Sequence, residues 1–247
     1  MWSEARRRHG PSDEWLRALL GTAGVWTLLL LAPRLARAAG AGEHALLAAY
    51  AGATGLVCGS APRDERPPAR GALALGFASG ALCFTGWAAL VAALGTALGL
   101  APPRLPLGSG IELESAVASA LLGPVWEERL YRGWLLPALA VRTGWPAAIA
   151  LSSAAFALPH GEPWSVLTTF GLGLTLGLSR RLGARTRSCV GAHAGLDVAF
   201  WLRDALDLAA APAWLPCLGA ALWALRVRLD RAGPPRHPPV PAPAAGC

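Results

Sequence analysis

Short bursts of arginine punctuate this chain between apolar runs of about 16–30 residues, and an α-helix needs about 20 to cross a bilayer. That interleaving constrains the fold more than any single motif. Only 15% of the 247 residues are charged and 54% are apolar, whereas a soluble domain usually spends about 25% on charge. The same balance excludes an intrinsically disordered chain, which needs high charge and few apolar residues. All 22 basic residues are arginine, and the net charge is +7. A nucleic-acid binder would gather its arginines on one polar face. Here they alternate with apolar segments, so the partner implied is a lipid bilayer and no nucleic acid. The five cysteines are odd in number and form no CxxC pair, which indicates neither a disulfide framework nor a zinc ribbon.

Reading the runs between Arg, Pro and acidic residues gives about eight helices: Leu16–Ala32, Ala45–Ala61, Gly71–Leu100, Leu113–Leu139, Trp145–His160, Trp164–Leu178, Ser188–Leu202 and Ala213–Leu225. The expected fold is all-α, a polytopic transmembrane helical bundle. With eight crossings and a cytoplasmic N-terminus, 16 arginines fall in inside segments. Only Arg34, Arg37, Arg104 and Arg203 fall outside, and Arg129 and Arg132 lie within the fourth helix. The positive-inside rule favours this arrangement, with both termini cytoplasmic. The chain divides into a cytoplasmic segment 1–15, N-terminal transmembrane helices 16–109, a core 110–229 and a disordered Pro/Ala-rich tail 230–247. A cleaved signal ending near Ala36-Arg37-Ala38 is the alternative for the first run. Seven further hydrophobic segments favour a retained first span.

An ionisable side chain within a span is costly unless it is paired or faces a cavity, so each one is a functional candidate. Three segments carry them. In Glu127-Glu128-Arg129-Leu130-Tyr131-Arg132, helical i,i+4 spacing pairs Glu128 with Arg132. Glu127 points about 100° away, towards Tyr131, and stays free for proton chemistry. A solvated loop is the ordinary alternative, but Leu113–Leu122 and Trp134–Leu139 flank the segment without polar punctuation. The second segment is Phe156-Ala157-Leu158-Pro159-His160, with Phe156 one turn before His160. Taken alone, such a histidine is more often an interfacial residue than a catalyst. In the third, His193-Ala194-Gly195-Leu196-Asp197, i,i+4 spacing puts imidazole and carboxylate on one face. That pair can orient a tautomer, bind a metal, stabilise an oxyanion, or simply tie helices together.

The three motifs, Glu-Glu-x-x-x-Arg at 127–132, Phe-x-x-x-His at 156–160 and His-x-x-x-Asp at 193–197, resemble in order and spacing the signatures of the CPBP family. These are the CAAX proteases and bacteriocin-processing proteins, including type II CAAX prenyl endopeptidases. The resemblance covers about residues 110–225. It implies an intramembrane endopeptidase with its site in a cavity of the bundle. By position, Glu127 would activate the hydrolytic water with His160 as its partner. His193 and Asp197 would stabilise the oxyanion, with Glu128 and Arg132 as a structural pair and Phe156 as support. The last position is often Asn in the family, and an ionised Asp197 would repel an oxyanion. Asp197 must then be protonated, orient His193, or bind a metal. The family has been described both as metal-free glutamic proteases and as metalloproteases, and Glu127, His160 and His193 could supply a two-His-one-carboxylate zinc site. A metal-free site is the preferred reading. Cys189, one turn before His193, is the nearest thiol, and an acyl-enzyme is not expected.

Depth poses a test. Counted from the charged loops, Glu127 lies ~15 residues from Arg142, His160 ~18, and His193 only ~6 from Arg187, so at 1.5 Å per residue the depths differ by more than ~15 Å. A shared site therefore requires a broken or displaced helix end, for which Gly123-Pro124, Pro137 and Pro159 provide the means.

The lysine-free, Ala/Arg-rich composition points to a bacterial inner-membrane protein. The substrate expected is a membrane-associated protein or peptide, such as a bacteriocin precursor or a C-terminal sorting signal of the myxosortase-like kind. Two other functions compete: a non-catalytic scaffold or immunity factor, and a proton-relay transporter. Nothing in the sequence specifies an oligomeric state.

Overall fold

The computed structural model describes residues 20–27, 45–60, 71–100, 116–202 and 214–232, together with residues 16, 31 and 38. All regular structure among them is helical. Residues 20–27 form a helical stretch. It is followed by α1 (Ala45–Ser60), α2 (Ala72–Ala97), a π-helical turn (Ala118–Leu122), α3 (Gly123–Leu130), a second π-helical turn (Tyr131–Leu135), α4 (Leu136–Ala157), a 3-10 turn (Leu158–His160), α5 (Pro163–Arg181), α6 (Thr186–Leu202) and α7 (Trp214–Arg231). The sequence-defined segments 1–15 and 233–247 lie outside the described residues, as does the proposed cleavage stretch at 36–37.

Each π turn comes just before a proline, Pro124 or Pro137. Proline offers no N–H to the carbonyl one turn back, and its ring crowds that carbonyl. Widening the preceding turn relieves the conflict, with Gly123 N–H bonded to the Ala118 carbonyl and Leu136 N–H to that of Tyr131. The two wide turns bracket the single short helix that carries Glu127 and Glu128.

The helical run Ala118–His160 is apolar enough to cross a membrane, and the bent pair Leu73–Cys83 and Gly86–Ala97 passes the same test as one span. The first run is not straight. Gly144 takes φ 75°, ψ 163°, a conformation open to glycine because it lacks a Cβ. There the chain reverses: Leu136 packs with Ala148 and Ile149, and the Tyr131 ring meets Phe156. The run is thus a helical hairpin with arms of about 39 and 24 Å at 1.5 Å per residue; the second arm matches the fifth helix read from the sequence, and the first runs about four residues past the expected end of the fourth at Leu139.

Polarity is distributed inside-out. Leu56, Leu73, Leu151 and Leu158 are exposed, while Glu127, Glu128, Arg132, His193, Arg226 and Asp230 are buried. Water would reverse that arrangement, and lipid favours it. α6 lies closely along α2 through Gly191 and Gly195 facing Gly76 and Gly80. A Cβ at Gly76 would sit 2.6 Å from the Ser188 carbonyl oxygen, and a Cβ at Gly195 or Gly80 would overlap the facing backbone outright. Small residues at four-residue spacing permit this approach.

Two boundaries differ from the sequence reading. The last helix continues past Leu225 to Arg231, so residues 230 and 231 belong to α7 and not to a tail. Arg185 and Arg226, assigned to cytoplasmic loops, are buried around Asp230. Arg142, Arg181, Arg187, Arg228 and Arg231 are exposed.

Candidate active site

α3 and α6 hold the acidic and imidazole groups together. Glu128 is wholly buried and its Oε1 accepts from Arg132 Nη1 at 2.9 Å, the i,i+4 pair read from the sequence. The same oxygen accepts from His193 Nδ1 at 3.0 Å. Glu128 therefore does more than neutralise Arg132: it sets the orientation of the His193 ring. His193 Nε2 then faces Asp197 Oδ2 at 3.4 Å and Glu127 Oε2 at 3.7 Å. The latter exceeds hydrogen-bond length, so Glu127 stands beside the imidazole without being tied to it. Glu127 and His193 are buried, and the Asp197 side chain is 24% exposed.

The depth conflict resolves at the start of α6. A Cβ at Gly133 would lie 3.6 Å from the Thr186 side chain, so α6 begins beside Gly133 and not at the level of the Gly144 reversal. From that shared level, His193 is seven residues along α6, about 10 Å, and Glu127 six residues back along α3, about 9 Å. The connection at 182–185 carries the chain inward, with Ala184 and Arg185 buried.

Phe156 is the hub of the aromatic side of the site. Its buried ring meets Tyr131 (centroids 5.2 Å), His160 (5.5 Å) and His193 (5.6 Å), and the Arg132 guanidinium carbon lies 4.4 Å from its centroid. A desolvated cation over an aromatic face contributes about 2 kcal/mol. Phe156 thus supports both histidines, whereas the sequence placed it only beside His160. His160 makes no hydrogen bond to Glu127. Its Nδ1 donates to the carbonyls of Phe156 (3.1 Å) and Ala157 (3.3 Å), which in the neutral ring leaves Nε2 as the acceptor.

Tyr131 lies within electrostatic reach of Glu127, as the helical wheel suggested, but its hydroxyl bonds elsewhere. Its hydroxyl accepts from Trp26 Nε1 and donates to the Ala155 carbonyl at 3.3 Å. Trp26 also packs edge-on against His160 and Trp126, each at 5.7 Å, and Tyr50 meets Trp126 at 6.3 Å. The sequence reading missed Trp26, Tyr50 and Trp126. With 11 tryptophans in the chain, no spacing singles these out.

His160 commits Nδ1 to two carbonyls and His193 commits Nδ1 to Glu128, the kind of contact that orients a histidine acting through Nε2. Among the described residues no group of three His, Cys, Asp or Glu side chains is arranged to hold a metal ion. Cys189 is buried and unpaired.

Residues 111–199 match the family model described as Type II CAAX prenyl endopeptidase Rce1-like, a family of membrane-embedded proteases, and the matched segment contains all three motifs. No curated protein and no solved structure matches the chain.

Proposed function

We propose that this chain, whose residues 111–199 carry an Rce1-like domain, is a multi-pass intramembrane endopeptidase that hydrolyses a peptide bond in a membrane-associated protein or peptide. One observation carries the reading. Glu127, Glu128, His193 and Asp197 meet between α3 and α6, in the interior of a bundle whose outer face is leucine-rich.

Glu127 is the general base. It lacks the close partner that occupies Glu128, so its carboxylate can take a proton from a water attacking the scissile carbonyl carbon. The electron pair of the carbonyl moves onto oxygen. That oxyanion accepts a hydrogen bond from His193, whose ring Glu128 orients through Nδ1 and whose charge Asp197 supports at Nε2. When the tetrahedral species collapses, the C–N bond breaks and the amine leaves with the proton held by Glu127. His160 contributes an Nε2 acceptor from the far side of Phe156, ordering water near Glu127. The chemistry proposed needs no metal.

The test is cleavage of a membrane-tethered peptide library by protein reconstituted in liposomes. Glu127→Ala is expected to lower cleavage by about 10³-fold, within the range for a general base, with an unchanged unfolding temperature. Chelators are expected to leave the wild-type rate intact. Cleavage by Glu127→Ala at the wild-type rate would overturn the mechanism.

A further inference from the structure

Trp26 belongs to the helical stretch 20–27, far from the matched segment 111–199, yet it touches three residues around the site. Its indole N–H is donated to the Tyr131 hydroxyl, which is anchored in turn on the Ala155 carbonyl. With the nitrogen end held in this way, the ring has a defined tilt. Its edge-on contacts at 5.7 Å fall on His160, at an interplanar angle of 69°, and on Trp126, which directly precedes Glu127. The stretch itself is seated: Val25 is buried, and a Cβ at Gly21 would meet the Trp134 ring at 3.0 Å.

His160 ends a 3-10 turn, and its backbone is followed at once by Gly161 at φ 77°. Among the described residues, its side chain hydrogen-bonds to the carbonyls of its own turn. Those bonds fix which nitrogen carries the proton and tie one edge of the ring to its own turn, while the rest of the ring is held by packing. Two aromatic rings, Phe156 from the preceding helix and Trp26 from the N-terminal stretch, pack edge-on against the imidazole.

We propose that Trp26 is a positioning residue for His160: a hydrogen bond to Tyr131 sets the indole, and the indole holds the imidazole in place beside Phe156. The N-terminal helix therefore completes a site whose reacting groups all lie elsewhere. This rests on the endopeptidase reading for its catalytic consequence, though the contact itself does not.

The experiment compares the full chain with Trp26→Leu, Trp26→Phe and Tyr131→Phe, using two readouts. In steady-state cleavage, Trp26→Leu is expected to lower kcat by about tenfold, the scale of a small misplacement of a catalytic group. KM and unfolding temperature stay near wild type, and the pH profile of kcat changes. Trp26→Phe, which keeps a ring, recovers part of the loss, and Tyr131→Phe reproduces a fraction of it. In spectra of histidine-labelled protein, Trp26→Leu is expected to move the His160 ring signals and spare those of His193. Unmoved His160 signals would overturn the proposal. So would a kcat loss that follows the unfolding temperature alone with no recovery in Trp26→Phe. If the wild-type protein cleaves no peptide, the endopeptidase reading falls, and the His160 signals still decide whether Trp26 sets the ring.

Discussion

Two buried charge clusters lie at different heights along α6, and they are built on opposite principles. Near the start of the helix, Asp230 from α7 is saturated. Its Oδ2 accepts from the Arg185 backbone N–H at 2.9 Å and from Ser188 Oγ at 2.7 Å, while Oδ1 takes Arg226 and lies 3.5 Å from Arg185 Nε. Arg226 reaches Ser188 as well, at 2.8 Å. Two turns further along, the second cluster sets three carboxylates against one guanidinium and one imidazole. Only Oε1 of Glu128 has close partners, and its Oε2 has none. Satisfied polar networks rigidify a core, and partly satisfied ones are costly to keep. The contrast assigns the Asp230 cluster to holding α6 against α7. It leaves the Glu127 cluster as the one on which the proposed endopeptidase reading rests.

Removing the Asp230 carboxylate gives the sharpest test of that contrast. Asp230→Ala strands Arg185 and Arg226 in the interior and is expected to cost about 3–5 kcal/mol, seen as a large fall in the unfolding temperature in detergent. Cleavage should fall only as far as the folded fraction does. Glu128→Gln comes next, because it leaves Arg132 and His193 without their shared anion. A loss of about 2–3 kcal/mol is expected, together with a fall in kcat of the protein that remains folded, since His193 loses its orienting partner. An unfolding temperature equal to wild type would show that Glu128 is not the structural member of its cluster. Asp197→Asn should have the smallest effect. Its side chain is 24% exposed and 3.4 Å from His193, and an amide oxygen can still face the imidazole. A change in kcat of less than about tenfold is expected, with no change in stability; complete loss of cleavage would make the Asp197 charge essential.

Most helix limits were legible because their causes are local. Arginine, proline and glycine interrupt the apolar runs, and the expected second, fifth and seventh helices agree with α1, the second arm of the hairpin and α6 to within about two residues. The Glu128–Arg132 pair was equally legible, since i,i+4 geometry needs only one helix. The end of α7 was not. Arg226, Arg228 and Asp230 look like a solvated terminus until α6 supplies Ser188 and the Arg185 backbone. The common depth of Glu127 and His193 was hidden for a related reason. Counting residues from charged loops assumes that every loop lies at the membrane face, and the connection at 182–185 turns inward.

The sequence by itself determined the helical class and the candidate groups: long apolar runs punctuated by arginine, and carboxylates and histidines at spacings that survive into the folded site. Tertiary structure alone decided the partners. It directed Glu128 to His193 as well as Arg132, set Phe156 against two histidines, turned His160 Nδ1 to backbone carbonyls, and brought Trp26 to His160 from the other end of the chain. The division has a physical cause. Helical periodicity places residues within one element, whereas contacts between elements depend on where Gly76, Gly80, Gly191 and Gly195 let backbones approach and where Gly144 lets the chain turn back.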